Sequence, residues 1–424
     1  MNEILRAREY RVLYVRQMIR RNQSFVITIK ANIPGPNKNI NAAHLLVRLF
    51  LNELRGELES QEIIYMKSAD GPYVLFSVKG DDGLEIKKEL VSIEDKHPLG
   101  RYIDLDLYIS EQVSLSRFDL KKANRKCFIC GKDAHICSRN MTHSIPKLIQ
   151  HIKLNLNFYI VEEIKRTLNY AILAELELDE KFGLVTKTSS GSHQDMDYDL
   201  MVKAKNVIMP YFIQIFNIGY EAEELVSLLD ASRYIGIAAE DEMLQVTKGV
   251  NCYKGLIFVM GLTLLATGYA LARHQSFDKI FDNIRSMSFG LLGEFNDMNL
   301  VTFGKEAYQE YKITGVRGEA YSGFPSIRST LELIGEQDIA DPKVLRNALK
   351  HLIINTQDTV LLKRAKSLSE YEKIKHMFAS LDVSNLSQVR QFTQYAIKRN
   401  LSFGGSADLL VATVFLNSLR HRYF

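Results

Sequence analysis

Two aspartates two residues apart, Asp104 and Asp106, stand inside the apolar run Arg101-Tyr102-Ile103-Asp104-Leu105-Asp106-Leu107-Tyr108. Side chains alternate along a strand, so both carboxylates project from one face. Paired carboxylates in that arrangement can hold Mg²⁺ against a triphosphate, which puts phosphoryl or nucleotidyl transfer first among the chemistries to test. A solvated strand face is the plain alternative. Just beyond, Cys127, Cys130, Cys137 and His143 bring three of the chain's four cysteines and a histidine into seventeen residues. The spacing C-x₂-C-x₆-C-x₅-H resembles a tetrahedral zinc site, one knuckle supplying two thiolates and the later Cys and His closing it. His135 competes with His143 as fourth ligand, and unmetallated buried cysteines fit the same spacing.

Those residues need a sheet to hold them and helices to cover it. Glu3 to Asn22 carries helical periodicity with interleaved charges, Ser24 to Ala31 reads as a strand, and Asn32 to Asn39, with two prolines and a glycine, as a loop. Ala42 to Leu58 is an amphipathic helix; Glu62 to Met66, Gly71 to Val78 and Arg101 to Ile109 are further strands. This order predicts a mixed α/β domain with a small sheet. From Ile145 onward the segments are long, apolar-periodic and helical, with short glycine-rich or polar connections. The fold class is therefore α+β and multidomain: a mixed α/β domain over residues 1–155, then an all-α domain over 156–424. No flexible Ser/Gly/Pro linker separates the halves, so the boundary falls softly between 145 and 165, bridged by one or two helices from Ile145 to Glu177.

Four islands rich in small residues punctuate the helical half: Gly183 to Met196, Gly249 to Phe258, Gly315 to Ile327 and Asn400 to Leu410. Each sets Gly or Ser beside ionisable residues at an expected helix start, where free amides and the macrodipole attract phosphate. Taken singly, each is equally an ordinary N-cap. Four in one domain predict convergence on a polyphosphate or nucleotide.

Composition narrows the classes. A chain of 424 residues, 46% hydrophobic, suffices for two or three cores. A net charge of +4 among 54 basic and 50 acidic side chains argues against a dedicated nucleic-acid binder. Clustered cysteines are no secreted disulfide framework, and the charged N-terminus lacks an apolar signal core, so cytoplasm is the expected compartment. Gly255 to Ala272 has eighteen residues without a charge, near membrane-span length. It reads instead as the central helix of a helical domain, with no membrane association expected.

The loop Asn32-Ile33-Pro34-Gly35-Pro36-Asn37-Lys38, the run His97-Pro98-Leu99-Gly100-Arg101 into Asp104 and Asp106, and Arg125, Cys127, Cys130, Cys137, Arg139 and His143 occur in a specific order. In that order they resemble the holo-citrate lyase synthase family, the apo-citrate lyase phosphoribosyl-dephospho-CoA transferases, over roughly the first 150 residues. In the helical half, Thr302 and Gly304, Tyr311, Gly315 with Arg317-Gly318-Glu319-Ala320, Gly323-Phe324-Pro325-Ser326, and Gly404-Gly405-Ser406-Ala407-Asp408 are similar to the triphosphoribosyl-dephospho-CoA synthase family. Gly249-Val250-Asn251 with Lys254, and Gly191, His193 and Asp195, add to this likeness, which covers about residues 160 to 424. Fusions of these two activities are a known arrangement, and the chain resembles one.

Departures decide which roles carry over. The family's Lys-Pro-Gly-Leu-Val-Asp appears as Lys181-Phe182-Gly183-Leu184-Val185-Thr186, its Asn-Thr-His-Lys as Asn251-Cys252-Tyr253-Lys254, and its Asp-Thr-Asn as Asp358-Thr359-Val360. Its Arg-Gly-Gly appears as Arg364-Ala365-Lys366, and Phe403 replaces the proline before Gly404. Thr186, Cys252, Tyr253 and Val360 therefore inherit nothing, whereas Asp195, Lys254, Arg317, Glu319, Asp358, Arg364, Ser406 and Asp408 can.

The resemblance implies two consecutive reactions. In the helical half, ATP and 3′-dephospho-CoA would give triphosphoribosyl-dephospho-CoA and adenine, a glycosyl transfer served by Asp195, Glu319, Asp358 or Asp408. His193 would assist, and Lys254, Arg317 and Arg364 with Gly404, Gly405 and Ser406 would hold the triphosphate. In the α/β half, phosphoribosyl-dephospho-CoA would pass to a serine of the apo acyl carrier (γ) subunit of citrate lyase, with pyrophosphate leaving. There Asp104 and Asp106 would hold Mg²⁺, while Lys38, Arg101 and Arg125 steady the triphosphate. Arg11 and Arg16 on the first helix are further basic candidates. The D-x-D invites comparison with nucleotidyltransferases, an analogy of motif. Other readings stay open: a helical half degraded to scaffold or partner-binding domain, and a zinc-knuckle nucleic-acid module, which would need a basic, aromatic-interleaved surface not seen here.

Overall fold

β-Branched and aromatic alternation builds one small sheet near the N-terminus. The computed structural model describes residues 2–296 and 302–424. Its strands are β1 (Phe25–Ala31), β2 (Ser60–Met66), β3 (Tyr73–Val78), β4 (Ile103–Tyr108) and the short β5 (Ser114–Leu115), in the order β2-β3-β1-β4-β5 with every neighbouring pair antiparallel. The strand expected from Gly71 begins at Tyr73, since Gly71 turns with φ of +94°. Register places Tyr108 opposite Val26, Asp106 opposite Thr28 and Asp104 opposite Lys30. The two aspartates therefore share a sheet face with Thr28 and Lys30.

Helix α1 (Asn2–Asn22) lies on that same face, where its Val15 and Met18 pack with Val26, Tyr73 and Leu75, and Tyr108 and Ile64 close the edge. The opposite face (Ile27, Ile29, Leu105 and Leu107, all buried) is covered by α2 (Asn41–Glu57) and α3 (Gly83–Lys96). Periodicity did not announce α3, whose run is half charged and turns only Ile86, Leu90 and Val91 inward among its apolar residues. Asp82 starts it by accepting from the Leu84 and Glu85 amides. Two further helices follow, α4 (Ala134–Arg139) and the unbroken α5 (Ile145–Leu176).

Residues up to Glu163, with His421–Phe424, form the first compact unit; Ile164–Arg420 form the second, which is helical. Its helices open with α6 (Tyr198–Glu221), α7 (Leu228–Val246), α8 (Lys254–Ala272), α9 (Lys279–Met287), α10 (Phe303–Tyr311) and α11 (Gly315–Tyr321). They continue with α12 (Pro325–Ile334), α13 (Pro342–Asn355), α14 (Thr359–Ala365), α15 (Leu368–Ser380), α16 (Leu386–Lys398) and α17 (Gly404–Tyr423). Helix α8 is apolar on all sides because it runs through the middle: 78% of its apolar window is buried, packed against α6, α7 and α9. Among the described residues it is the one helix long and apolar enough to cross a membrane.

Candidate active sites

In the first unit the loop after β1, the end of the segment before β4, and the cysteine-rich segment enclose a cleft of about 780 Å³. Lys38, Arg101, Asp104 and Arg125 all line it, with Cys127, Cys137 and His143 along one wall. Asp106 is not in the lining; it stands one strand step beyond Asp104 on the same face, exposed. Asp104 sits deep, with 39% of its side chain still accessible, and Arg125 Nη1 donates to its Oδ1 at 2.5 Å. Arg125 also pairs with buried Glu94. Burial raises the Asp104 carboxyl above its ordinary value; Arg125 opposes this, and Asp106 and Glu94 add to it. Two carboxylates on one face, one of them short of positive charge despite an arginine, form a donor set suited to a hard divalent cation.

The remaining cations are positioned by the backbone. Lys38 donates to the Ile33 carbonyl and Arg101 to the Lys126 carbonyl. Lys38 is held below the ordinary lysine range by burial, then by Lys30. Arg11 and Arg16 are placed elsewhere. Arg11 donates to the fully buried Asp70 at 2.9 Å, and Arg16 Nε donates to the Glu111 carbonyl at 3.1 Å. Sequence reading missed Arg117 and Lys122, which also line the cleft but sit in polar stretches that look merely solvated.

The cysteine segment folds as a knuckle. The Gly131 amide donates to the Cys127 carbonyl at 3.0 Å, and the Cys127 amide donates to the Lys132 carbonyl at 2.6 Å. One candidate ligand atom each from Cys127, Cys130, Cys137 and His143 lies within 4.8 Å of every other. Zn–S and Zn–N bonds of about 2.3 and 2.0 Å give tetrahedral edges of roughly 3.5–3.8 Å, so this cluster fits a zinc ion with small adjustment. His143, not His135, is the fourth member, and its buried Nε2 has no hydrogen-bond partner. Burial raises the Cys127 thiol, but the Cys130 and Ile129 amides overcome this and leave it below its ordinary value.

In the second unit a cleft of about 700 Å³ is ringed by helix starts. The first residues of α8 (Lys254, Gly255), α10 (Phe303, Gly304), α14 (Thr359, Val360) and α17 (Gly404) all face it. So do His193, Asp195, Lys254, Arg364 and Asp408 among the expected residues, joined by Glu175, Lys363, Lys366 and Arg399. Four helix N-termini and five cations around one cleft make a site for an extended anion. The Gly183 to Met196 loop closes one side through Gly191, whose φ of +57° and contact with the Gly183 carbonyl leave no room for a Cβ. His193 Nε2 lies 3.1 Å from Ser402 Oγ, and Nδ1 faces Asp195 at 3.9 Å. Burial, then Arg364, lowers the His193 pKa, so the ring is neutral.

Asp408 lies against the start of α8, where a Cβ on Gly255 would fall on its carboxylate. Burial raises the Asp408 carboxyl well above its ordinary value, and Asp358 and Glu175 add to this. Asp358 itself does not line the cleft. Its carboxylate accepts from the Val360 and Leu361 amides at the start of α14 and from the Ser406 amide and Oγ at the start of α17. It binds two of the converging helix ends together, and Gly405 packs against it. Ser406 is fully buried in that tie.

The third island, Gly315 to Ile327, does not line this cleft. Glu319 Oε1 accepts from Ser326 Oγ at 2.6 Å and Oε2 from the Ser326 amide at 3.2 Å, tying α11 to α12. Arg317 Nε pairs with Glu294 at 3.1 Å. Gly315 packs against Thr359, so this island supports α14 from behind. Glu319 and Arg317, expected at the substrate, are thus placed outside the lining of this cleft. Their motif signals a built structure, with the local hydrogen bonding that any tight helix junction requires.

Comparison with known proteins now fits onto these two sites. Residues 1–158 match the family described as apo-citrate lyase phosphoribosyl-dephospho-CoA transferase, and residues 161–423 the family described as ATP:dephospho-CoA triphosphoribosyl transferase. The protein CitXG of Leuconostoc mesenteroides subsp. cremoris is 31% identical over 98% of this chain and 96% of its own length. The chain belongs to the CitXG family. Protein CitXG of Haemophilus influenzae is 29% identical over 98% of this chain and 96% of its own length. A 2-(5″-triphosphoribosyl)-3′-dephosphocoenzyme-A synthase of Haemophilus ducreyi is 32% identical over 69% of this chain and 99% of its own length. The chain is thus a transferase of citrate lyase prosthetic-group biosynthesis, with the carrier-directed transferase first and the triphosphoribosyl-dephospho-CoA synthase second.

Proposed function

We propose that the second-unit cleft joins ATP to 3′-dephospho-CoA and that the first-unit cleft transfers the product to the citrate lyase carrier subunit. Support for the first step comes chiefly from the four helix N-termini and five cations at one cleft, a complement to a triphosphate. The ribose 2′-hydroxyl of dephospho-CoA attacks C1′ of the ATP ribose as the bond to adenine breaks. Asp195, beside neutral His193, takes the hydroxyl proton; Asp408 gives a proton to the departing adenine. The triphosphate stays on Lys254, Arg364 and the helix ends throughout.

In the first-unit cleft the serine oxygen of the carrier attacks the phosphorus next to the added ribose, in line with the leaving pyrophosphate. Lys38, Arg101 and Arg125 hold the triphosphate and take up the charge that develops on pyrophosphate. Asp104 and Asp106 would hold Mg²⁺, which when bound polarises the phosphate and neutralises the leaving group. The carboxylate arrangement on β4 carries this reading. One assay tests both halves. The full chain with ATP, dephospho-CoA, Mg²⁺ and apo carrier is expected to release adenine and then pyrophosphate and to add the prosthetic group to the carrier. A carrier unmodified even by preformed triphosphoribosyl-dephospho-CoA would sink the transferase reading, and absence of adenine would sink the synthase reading.

The knuckle is assigned a structural zinc ion, held by Cys127, Cys130, Cys137 and His143, that fixes the cleft wall. Elemental analysis of the purified chain is expected to find one zinc per molecule, and the Cys127→Ser variant none. That variant should lower the melting temperature of the first unit by about 5 °C or more and leave adenine release intact. Wild-type protein without zinc, or a variant with unchanged melting, would remove the assignment.

A further inference from the structure

Helix α1 carries more charge and more exposed apolar surface than packing on the sheet requires. Its arginines are Arg6, Arg8, Arg11, Arg16, Arg20 and Arg21, against Glu3 and Glu9. The buried row runs through Ala7, Val15 and Met18. On the other side, Arg6, Tyr10, Leu13, Gln17 and Arg20 repeat at helical spacing as one exposed line, with apolar Tyr10 and Leu13 beside Arg6 at one end and Arg20, paired with Glu111, at the other. Tyr10 is 59% exposed and Leu13 48%, with Tyr14 and Leu5 exposed on the flanks. Arg6 makes no ion pair among the described residues.

This surface is rigid and close to the chemistry. Arg11 ties α1 to buried Asp70, which Lys30 also binds at 2.5 Å, and Arg16 and Arg20 tie its far end to Glu111, just past β4. The helix packs on the sheet face from which Asp104 and Asp106 project. The acceptor is a macromolecule whose serine must reach that face, and α1 borders it. Arg8 and Arg11 pair with Asp70, Arg20 with Glu111 and Arg21 with Glu62, which leaves Arg6, among the described residues, as the free cation of the line; it favours an acidic partner, and the Tyr10–Leu13 centre beside it an amphipathic one.

We propose that the outward line of α1, centred on Arg6, Tyr10 and Leu13, is the docking surface for an acidic amphipathic helix of the apo carrier subunit. This rests on the transferase reading of the first-unit cleft. The test is steady-state transfer by the full chain from preformed triphosphoribosyl-dephospho-CoA, with carrier and donor varied separately. A Tyr10→Ala, Leu13→Ala double variant and an Arg6→Glu variant are each expected to raise the KM for carrier about tenfold or more, with donor KM and melting temperature unchanged. Added salt should raise the carrier KM of the wild type more than that of Arg6→Glu. A carrier KM within twofold of wild type in both variants overturns the docking proposal. So does loss of binding to anionic phospholipid vesicles, or of self-association, while carrier KM stays unchanged. If wild-type chain fails to modify carrier at all, the transferase reading itself falls, a result distinct from variants that match an active wild type.

Discussion

Replacing Asp104 with asparagine is expected to abolish carrier modification, lowering transfer by about a thousandfold, while adenine release continues at the wild-type rate. Asparagine keeps the shape of the side chain, and Arg125 keeps its pair with Glu94, so no buried arginine is orphaned. What is lost is the charge available to a divalent cation and to the arginine fork. Stability should respond in the opposite direction. The folded-state carboxyl of Asp104 lies above its unfolded value because of burial, so its ionised form is a burden on the fold that grows as pH rises through the raised pKa. A neutral asparagine removes that burden, and the melting temperature at neutral pH should be equal or higher. Intact mass of the carrier, adenine by chromatography and a thermal melt decide the matter together. Transfer within tenfold of wild type would remove Asp104 from the metal pair; loss of both activities with lower melting would mean misfolding.

The sequence made some of this visible because strand geometry is rigid. Asp104 and Asp106 two residues apart can share a face only if the run is extended, and the apolar alternation around them required that. The knuckle was legible for a similar reason: four ligand residues at fixed spacing have few ways to meet, although choosing His143 over His135 needed coordinates. Helix starts were visible as small-residue islands, and three of four did converge. The Gly315 to Ile327 island shows where the signal fails, since a glycine that lets a ligand approach and a glycine that lets Thr359 approach look alike. Asp358 reads as a candidate catalytic group in the sequence; in the fold its carboxylate ties α14 to α17, a contact with a residue 48 positions away. Lys363 and Arg399 carried no signal at all, because cations in charged segments have no periodic pattern that distinguishes a cleft wall from solvent.

Asp408→Asn is expected to reduce adenine release by about 10²–10⁴-fold and to leave transfer of preformed triphosphoribosyl-dephospho-CoA unchanged. Gly255 lacks the Cβ that would displace the Asp408 carboxylate from the start of α8. Helix amides there favour the anion by about 1 kcal/mol, less than the roughly 1.4 kcal/mol of a single pKa unit. Burial, with Asp358 and Glu175 close by, outweighs them and holds the carboxyl well above its ordinary value. A carboxyl that keeps its proton inside a cation-lined cleft can protonate a leaving base. Adenine release should fall as pH rises through the raised pKa of Asp408, and that alkaline limb should vanish in Asp408→Asn, whose residual rate is flat there. Gly255→Ala provides an independent check, since pushing the carboxylate aside should cause a comparable loss without altering any ionisable group. If Asp408→Asn retains both rate and alkaline limb, another group protonates adenine, and Asp408 takes its place with Asp358 among the residues that only hold the helix starts together.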